Sequence, residues 1–161
     1  MNVPLPEQNR MNSELLPTEI DFDPYGGDLD ALNAWKNFGR LTLEQARQRF
    51  EENPLHYQED FMFMGSRAFV YYFPVIEGFL LSTTECDEWD DRQAWILAHV
   101  IRQQLTNDTT GQVTKLAPRM RSLANFVRSN IGLFAVVPDE RQRIDDAWAE
   151  LESELAKFRF E

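Results

Sequence analysis

The chain has 161 residues and carries 27 acidic against 16 basic side chains, which gives a formal net charge of −11. Its length and its hydrophobic content of 43% predict a single folded domain with a substantial core rather than a disordered chain. The negative charge argues against binding to nucleic acid or to anionic membrane surfaces, because both depend on basic side chains, and it suits a basic protein partner.

The cellular compartment is indicated by the lone cysteine and by the N-terminal sequence. Cys86 has no second cysteine with which to form a disulfide within the chain, and this favours a reducing compartment. Residues 1–10 show no basic segment followed by an apolar run, so we expect no signal peptide. No apolar run is long and uninterrupted enough to span a bilayer. We therefore expect a cytoplasmic protein.

Residues 1–27 contain four prolines and few periodic apolar positions, which predicts an extended or flexible N-terminal arm. Residues 28–161 are predicted to form a single helical domain. Part of the arm is expected to be held on the surface of that domain by its few large apolar side chains, Leu15, Leu16, Ile20 and Phe22.

Two helices are predicted at the start of the domain. Asp28 is a cap for the first, which ends at Gly39. Thr42 and Gln45 have the spacing of a capping box for the second, which ends before Pro54. The predicted apolar stripe of the first helix is Leu29, Leu32, Trp35 and Phe38, and that of the second is Leu43, Ala46 and Phe50.

The segment 61–82 is the most apolar and aromatic part of the chain, and we expect the other elements to pack around it. Ser66 is a candidate N-cap for a buried helix, and Pro74 predicts a kink because its ring lacks an N–H and crowds the carbonyl four residues earlier. The inward side chains follow a spacing of three and four: Ala68, Phe69, Tyr72, Phe73, Ile76, Phe79 and Leu80.

Three further helices are predicted after this segment. The acidic run from Glu85 to Asp91 is expected to lead into a helix that continues to about Leu105, and its carboxylates suit the first turn because they oppose the positive end of the helix dipole. A second helix covers about 114–131. The stripe of a terminal helix is Ile144, Trp148, Leu151, Leu155 and Phe158. With no alternating run that predicts a strand, the expected fold is all-α, a single bundle of roughly six helices around a central, Pro-kinked helix.

The candidate catalytic and metal-binding side chains do not form a recognisable motif. His56 and His99 lack the spacing of metal ligands. Cys86 lies between acidic residues, which raise the pKa of a thiol and make it a poor nucleophile. We therefore predict no catalytic residue, no metal and no cofactor, and expect that the protein is not an enzyme.

Two charged clusters remain as candidates for binding. The acidic cluster of Asp87, Glu88, Asp90 and Asp91, with Trp89 as an aromatic anchor, is either the charged N-terminus of a helix or a surface for a basic partner. The basic side chains Arg119, Arg121 and Arg128 are either a solvated face that pairs with acidic neighbours or a site for a small anion.

The central segment also carries a resemblance. Its run Ala68-Phe69-Val70-Tyr71-Tyr72-Phe73-Pro74, preceded by Asp60-Phe61-Met62, resembles a pattern of Ala-Phe, a variable residue, Tyr-Tyr, an apolar residue and Pro. That pattern belongs to small, uncharacterised bacterial proteins predicted to be helical, some of which are similar to immunity proteins that bind and block a cognate toxin. The resemblance implies a helical core and carries over no catalytic residue.

Three hypotheses for function follow. The first is a cytoplasmic protein-binding protein, specifically an immunity protein that neutralises a toxin through its acidic surface. The second is a homo-oligomeric structural or regulatory module, such as a homodimer joined through an exposed stripe at Trp148, Leu151 and Leu155. The third is an enzyme that binds a small anionic substrate through Arg119, Arg121 or Arg128.

Overall fold

A buried helix over Ser66–Leu81 lies at the centre of this computed structural model, which describes residues 16–87 and 89–158. Every side chain predicted on its inward stripe is buried, and Val75 is buried with them. Pro74 lies inside the helix, as predicted, and does not end it. The central position of this segment follows from its sequence, since a helix with aromatic and aliphatic side chains on most of its faces must be covered by other elements.

The structure is all-α, as predicted. Within the described ranges, six helices have ten residues or more, and Asp87 and Asp90 form only an isolated bridge rather than part of a strand. Two 3-10 segments, Val113–Leu116 and Ile131–Leu133, flank the penultimate helix. The helices in chain order are α1 (Glu19–Phe22), α2 (Leu29–Phe38), α3 (Leu43–Glu52), α4 (Pro54–Tyr57), α5 (Asp60–Phe63), α6 (Ser66–Leu81), α7 (Ala94–Thr106), α8 (Ala117–Ser129) and α9 (Pro138–Leu155).

The central helix α6 is covered by helices from both halves of the chain. α1 and α3 pack against it from the N-terminal half, and α7 and α8 pack against it from the C-terminal half. α9 lies across α7 and α8, and its Trp148 is fully buried with Nε1 donating to the Ala94 carbonyl at 2.9 Å. Leu151 and Leu155 are buried in the same interface. The exposed stripe proposed for a homodimer is therefore wrong, because these side chains form part of the chain's own core.

Residues 16–27 contact the core through α1. Thr18 and Asp21 form a capping box around α1, in which the Thr18 amide donates to Asp21 Oδ2 at 2.8 Å. Phe22 is fully buried and its ring meets the edge of Trp35 at a centroid distance of 5.3 Å. Leu16 is half-buried, Ile20 is exposed, and Leu15 lies outside the described residues. Phe22 is thus the apolar side chain that fastens this part of the predicted arm.

The start of α6 differs from the prediction by one residue. Gly65, not Ser66, is the N-cap, and its amide donates to the Phe22 carbonyl at 2.9 Å. A β-carbon at Gly65 would lie 2.1 Å from the Asp21 carbonyl oxygen. The close passage of α1 over this turn therefore requires glycine, and no local pattern in the sequence indicates that contact.

The two helices at the start of the domain are confirmed, with one change in the face of α2. Asp28 accepts from two amides at the start of α2, and the capping box of Thr42 and Gln45 is present at α3. Leu29, however, is 81% exposed, so its place in the apolar stripe is wrong. α2 packs on α1 and α5, and its buried residues are Ala31, Ala34 and Phe38.

Two buried polar side chains hold these elements together. Nε2 of Gln104 in α7 donates to the carbonyls of Phe61 at 2.8 Å, Met62 at 3.1 Å and Met64 at 2.7 Å. The Tyr72 hydroxyl lies 2.9 Å from the Phe38 carbonyl and 2.8 Å from that of Leu41. Gln104 therefore fixes α5 against α7, and Tyr72 fixes the α2–α3 turn against α6.

Candidate functional site

The acidic run between α6 and α7 forms successive turns rather than the start of a helix. Oδ1 of Asp87 accepts from the Trp89 amide at 2.8 Å, Oδ1 of Asp90 accepts from the Arg92 amide at 2.9 Å, and Oδ1 of Asp91 accepts from the Gln93 amide at 2.9 Å. α7 begins only at Ala94. The prediction that these carboxylates lie in the first turn of the helix is therefore wrong, whereas the predicted end near Leu105 is confirmed by a helix that ends at Thr106. Aspartates that bind the amide two residues ahead stabilise turns in competition with the helix.

Arg92 anchors this acidic segment to the end of α6. Its Nη2 donates to the Phe79 carbonyl at 3.1 Å, its Nε donates to Thr83 Oγ1 at 3.2 Å, and its guanidinium lies 3.8 Å from the centroid of the Phe79 ring. Arg92 and Gln93 both have left-handed backbone conformations, with φ of 54° and 56°. The acidic segment is therefore not a continuation of α7, and Arg92 holds it beside the core.

The predicted partner-binding side chains are placed differently within this segment. Trp89 is 92% exposed, which is unusual for so large an apolar side chain. Asp87 and Asp90 are exposed beside it, whereas Asp91 is half-buried. Glu88 lies outside the described residues. Asp87, Trp89 and Asp91 face the same groove, and Asp90 does not line it.

That groove is an open cavity of about 500 Å³ between three parts of the chain. One side consists of Leu55, Gln58 and Glu59, at and after α4. The second side is the acidic segment with Gln93, Trp95 and Ile96. The third is the segment that leads into α9, namely Phe134, Ala135, Val136 and Val137, with Glu140 and Arg143. The groove joins residues that are distant in sequence, so none of its parts identifies it alone.

The groove is lined by both apolar and acidic side chains. Four of the eight exposed large apolar side chains among the described residues line it, namely Leu55, Trp89, Val136 and Val137. Its charged side chains are four carboxylates and one guanidinium: Glu59, Asp87, Asp91, Glu140 and Arg143. Exposed apolar side chains that lie together in this way are typical of surfaces that bind other molecules.

Arg143 is the basic side chain of the groove, and its charge is largely used within the chain. Its guanidinium lies 3.7 Å from the centroid of the Trp95 ring, and its Nη1 lies 3.7 Å from Glu140 Oε1. Glu59, Asp87 and Asp91 take part in no ion pair within the described part of the chain. The edge of the groove therefore keeps a negative charge.

Burial and like charge change the acidity of two groups here. The pKa of Asp91 is raised, first by burial and then by the nearby carboxylates of Glu140 and Asp90, although the bond from the Gln93 amide opposes the shift. The pKa of the Cys86 thiol is raised by burial and by Asp90. A thiol with a raised pKa is largely protonated at neutral pH, which agrees with the sequence-based expectation of a poor nucleophile.

One residue that lines the groove has a buried polar atom without a partner. Gln58 lines the groove and is only 9% exposed, yet its Oε1 accepts no hydrogen bond from the described residues. No feature of the sequence around Gln58 indicates this position, because it depends on how the turn after α4 packs against the rest of the chain.

The arginines of α8 donate to groups of neighbouring helices. Arg119 pairs with Glu77 of α6. Arg128 pairs with Asp145 at 2.9 Å and Glu152 at 2.7 Å, and these hydrogen bonds raise the pKa of its guanidinium. Arg121 donates to the carbonyls of Leu155 at 3.0 Å and Phe158 at 3.2 Å, at the end of α9. The interpretation of Arg119 and Arg128 as partners of acidic neighbours is confirmed.

The remaining candidates form no metal site. Within residues 16–87 and 89–158, no group of three or more His, Cys, Asp and Glu side chains is arranged to hold a metal ion. His99 lies beside α9 with Arg102 and Arg143, whereas His56 is exposed on α4. In the same part of the chain, no helix is both long and apolar enough to cross a membrane.

The acidic segment is the part of this site that the sequence indicated. The sequence did not predict the groove residues near α4 or those that lead into α9. The signal it held for them was the apolar pair Val136 and Val137 next to a charged helix. The chain matches no protein-family model, no curated protein and no solved structure.

Proposed function

We propose that the chain is a cytoplasmic protein-binding protein, specifically an immunity protein that neutralises a cognate bacterial toxin through the acidic surface around residues 87–91. The observation that carries the proposal is the exposed Trp89 in a groove lined by apolar side chains and four carboxylates. A tryptophan that is 92% exposed loses much unfavourable contact with water when a partner covers it. The resemblance in the central helix supplies the choice of an immunity protein among protein-binding proteins.

The charge of the groove supports a basic partner. Glu59, Asp87 and Asp91 lack ion-pair partners in the described chain, and the whole protein has a net charge of −11. Complementary charge accelerates the encounter of two proteins and favours the correct orientation. The apolar side chains then supply the area that must be desolvated for a slow dissociation. An inhibitor of this kind acts by covering its partner, so it needs no catalytic residue of its own.

The first experiment is an affinity capture from a lysate of the source cells at about 0.05 M and about 0.3 M salt, read by mass spectrometry. Three variants accompany the wild type. Trp89→Ala removes the anchor. Asp87→Asn with Asp91→Asn removes two charges but keeps the Oδ1 acceptors of the turns. The control pair, Glu19→Gln with Asp30→Asn, makes the same change in net charge at two exposed side chains that do not line the groove.

We expect one stoichiometric basic partner, captured less well at the higher salt. Trp89→Ala should weaken its binding about 30-fold or more, as for an aromatic hot spot, and the paired aspartate variant about 10-fold. The control pair should stay within about 3-fold of the wild type. A partner bound equally by all variants would show that the site is wrong.

Neutralisation is tested with the captured partner itself. Its expression alone should stop the growth of a host strain, and co-expression of the wild-type chain should restore growth. The Trp89→Ala variant should restore growth less well at equal protein level. A partner that does not inhibit growth would contradict the immunity function while leaving protein binding in place, and recovery of only the chain itself would favour the homo-oligomeric alternative.

A further inference from the structure

We infer that a second cavity of the chain binds a small organic amine, whose ammonium group donates a hydrogen bond to Gln104 Oε1. The cavity has a volume of about 530 Å³ and lies between α1, the junction of α5 with α6, and the loop after α7. It shares no lining residue with the groove beside Trp89. The inference therefore concerns a binding site beyond the proposed function, and either can be wrong without the other.

The side-chain oxygen of Gln104 is the observation that points to a donor. Three carbonyls lie 2.7, 2.8 and 3.1 Å from Gln104 Nε2 and fix the orientation of the amide, since only its nitrogen can donate to them. Gln104 Oε1 accepts no hydrogen bond from the described residues and, unlike the unpartnered oxygen of Gln58, it is not fully enclosed. Gln104 is only 6% exposed and lines this cavity, so the accessible part of its side chain opens into the cavity. A donor that enters there reaches an acceptor that the described chain leaves free.

The charges of the cavity select a cationic donor. Its charged side chains are three carboxylates and one guanidinium: Asp21, Asp23, Asp28 and Arg67. Arg67 Nη1 lies 3.5 Å from Asp21 Oδ2, and the other two carboxylates form no ion pair in the described chain. An anion would face these carboxylates and the acceptor of Gln104, whereas an ammonium group is attracted by the charges and donates to the oxygen. The amide oxygen adds a directional requirement that the carboxylates alone do not impose.

The apolar side chains of the cavity indicate the kind of body that carries the amine. Ile20 and Tyr25 line the cavity and are 73% and 87% exposed, so a ligand can cover both. Met62 and Phe63 are half-buried and line it as well. Aromatic and thioether side chains pack favourably on an aromatic ring. A volume of about 530 Å³ lies within the range of small-molecule sites, so the expected class of ligand is an amine with an aromatic ring.

The test uses three probes that share a phenylethyl group and differ in charge: phenethylamine, neutral 2-phenylethanol and anionic 3-phenylpropanoate. Each is titrated into the isotope-labelled full chain at neutral pH and low salt and followed by NMR. We expect saturable shifts of the Gln104 side-chain amide and of the Met62 and Met64 methyl groups with phenethylamine. The alcohol should bind at least about 5-fold more weakly, and the carboxylate at least about 20-fold more weakly. Equal binding of the three probes, no saturable shift up to about 10 mM phenethylamine, or shifts confined to another surface would overturn the inference.

Gln104→Met tests whether the oxygen is the acceptor. The change keeps the length of the side chain but removes its oxygen together with the hydrogen bonds of its nitrogen, so an amide spectrum first establishes that the variant is folded. It should bind phenethylamine at least about 5-fold more weakly than the wild type. The matched control is Gln103→Met, at a half-buried glutamine of α7 that does not line the cavity, and its affinity should be unchanged. Unchanged affinity of a folded Gln104→Met variant would refute the role of the oxygen. If that variant does not fold, a Gln104 side-chain amide that does not shift in the wild type would refute it.

Three further variants locate the bound amine. Tyr25→Ala shortens an exposed side chain of the cavity and should weaken binding of phenethylamine about 5-fold. Leu29→Ala, at an 81% exposed side chain that does not line the cavity, should stay within about 2-fold of the wild type. Trp89→Ala should leave this affinity unchanged, because Trp89 lines the groove and not this cavity. Loss of phenethylamine binding in Trp89→Ala but not in Tyr25→Ala would place the amine in the groove and overturn the inference.

Discussion

Replacement of Gln104 by methionine tests how the two halves of the chain are joined. The Gln104 amide has two N–H groups, and three carbonyl oxygens lie 2.7, 2.8 and 3.1 Å from its nitrogen. Methionine has a similar length but no donor, so the change removes hydrogen bonds with little loss of volume. Each neutral hydrogen bond contributes about 0.5–1.5 kcal/mol, and the abandoned carbonyls are buried. We expect the free energy of unfolding to fall by about 2–3 kcal/mol.

The assay is urea-induced unfolding followed by far-UV circular dichroism, with thermal unfolding as a second measurement. For a chain of this size, the expected loss corresponds to a decrease in Tm of about 4–12 °C. The control is Gln103→Met on the same helix, where the half-buried side chain forms no hydrogen bond with the described residues, and its effect should stay within about 0.5 kcal/mol. Equal stability of the Gln104→Met variant and the wild type would show that these hydrogen bonds do not stabilise the fold.

Two further substitutions test the core. Tyr72→Phe removes the hydroxyl that bonds the Leu41 carbonyl at 2.8 Å and should cost about 1–3 kcal/mol in unfolding by urea, whereas Tyr71→Phe should cost less than about 0.5 kcal/mol; similar losses for the two would contradict the account. Burial raises the pKa of Asp60 above 3.8, against the opposing hydrogen bond from Asn37. Folding favours the protonated form of Asp60, so this contribution to the free energy of unfolding is fully present below pH 3.8 and is lost as the pH rises through the raised pKa. The wild type should therefore lose stability relative to Asp60→Asn between pH 4 and pH 7. A stability difference that is independent of pH would contradict this.

The parts of the fold that the sequence predicts are those determined by neighbours along the chain. Thr42 and Gln45 form their capping box because both partners lie within one helical turn. The stripe of α9 is buried at Ile144, Trp148, Leu151 and Leu155, since apolar residues at this spacing must lie on one face. In the central helix, the same periodicity places the aromatic side chains in the core.

The sequence-based predictions fail where contacts between residues distant in sequence determine the local structure. Gly65 takes the N-cap position because α1 passes within contact distance of it, and Gln104 is buried because α5 supplies carbonyls to its amide. The prediction of a helix start at the acidic run is wrong for a more local reason. Its aspartates bind the amides two residues ahead, and Arg92 attaches the segment to the end of α6, so the negative charge that suits a helix start is used in turns instead.

The candidate site was predictable in part. The acidic side chains and Trp89 are adjacent in sequence, so the sequence alone places them in one segment of the chain. Their role as one side of a groove does not, because Gln58 and Val136 reach it from other parts of the chain. The unpartnered oxygen of Gln58 is likewise a property of the packed structure, and no pattern of residue types predicts it.

Hydrogen exchange of the chain with and without its captured partner shows whether the groove beside Trp89 is the binding surface. We expect amide protection to increase at residues 55–59, 89–96 and 134–140, the three sides of the groove, with little change in the exposed parts of α2 and α3. Protection confined to α2 and α3, or to the surface of α8, would contradict it and would place the interface on another face of the protein.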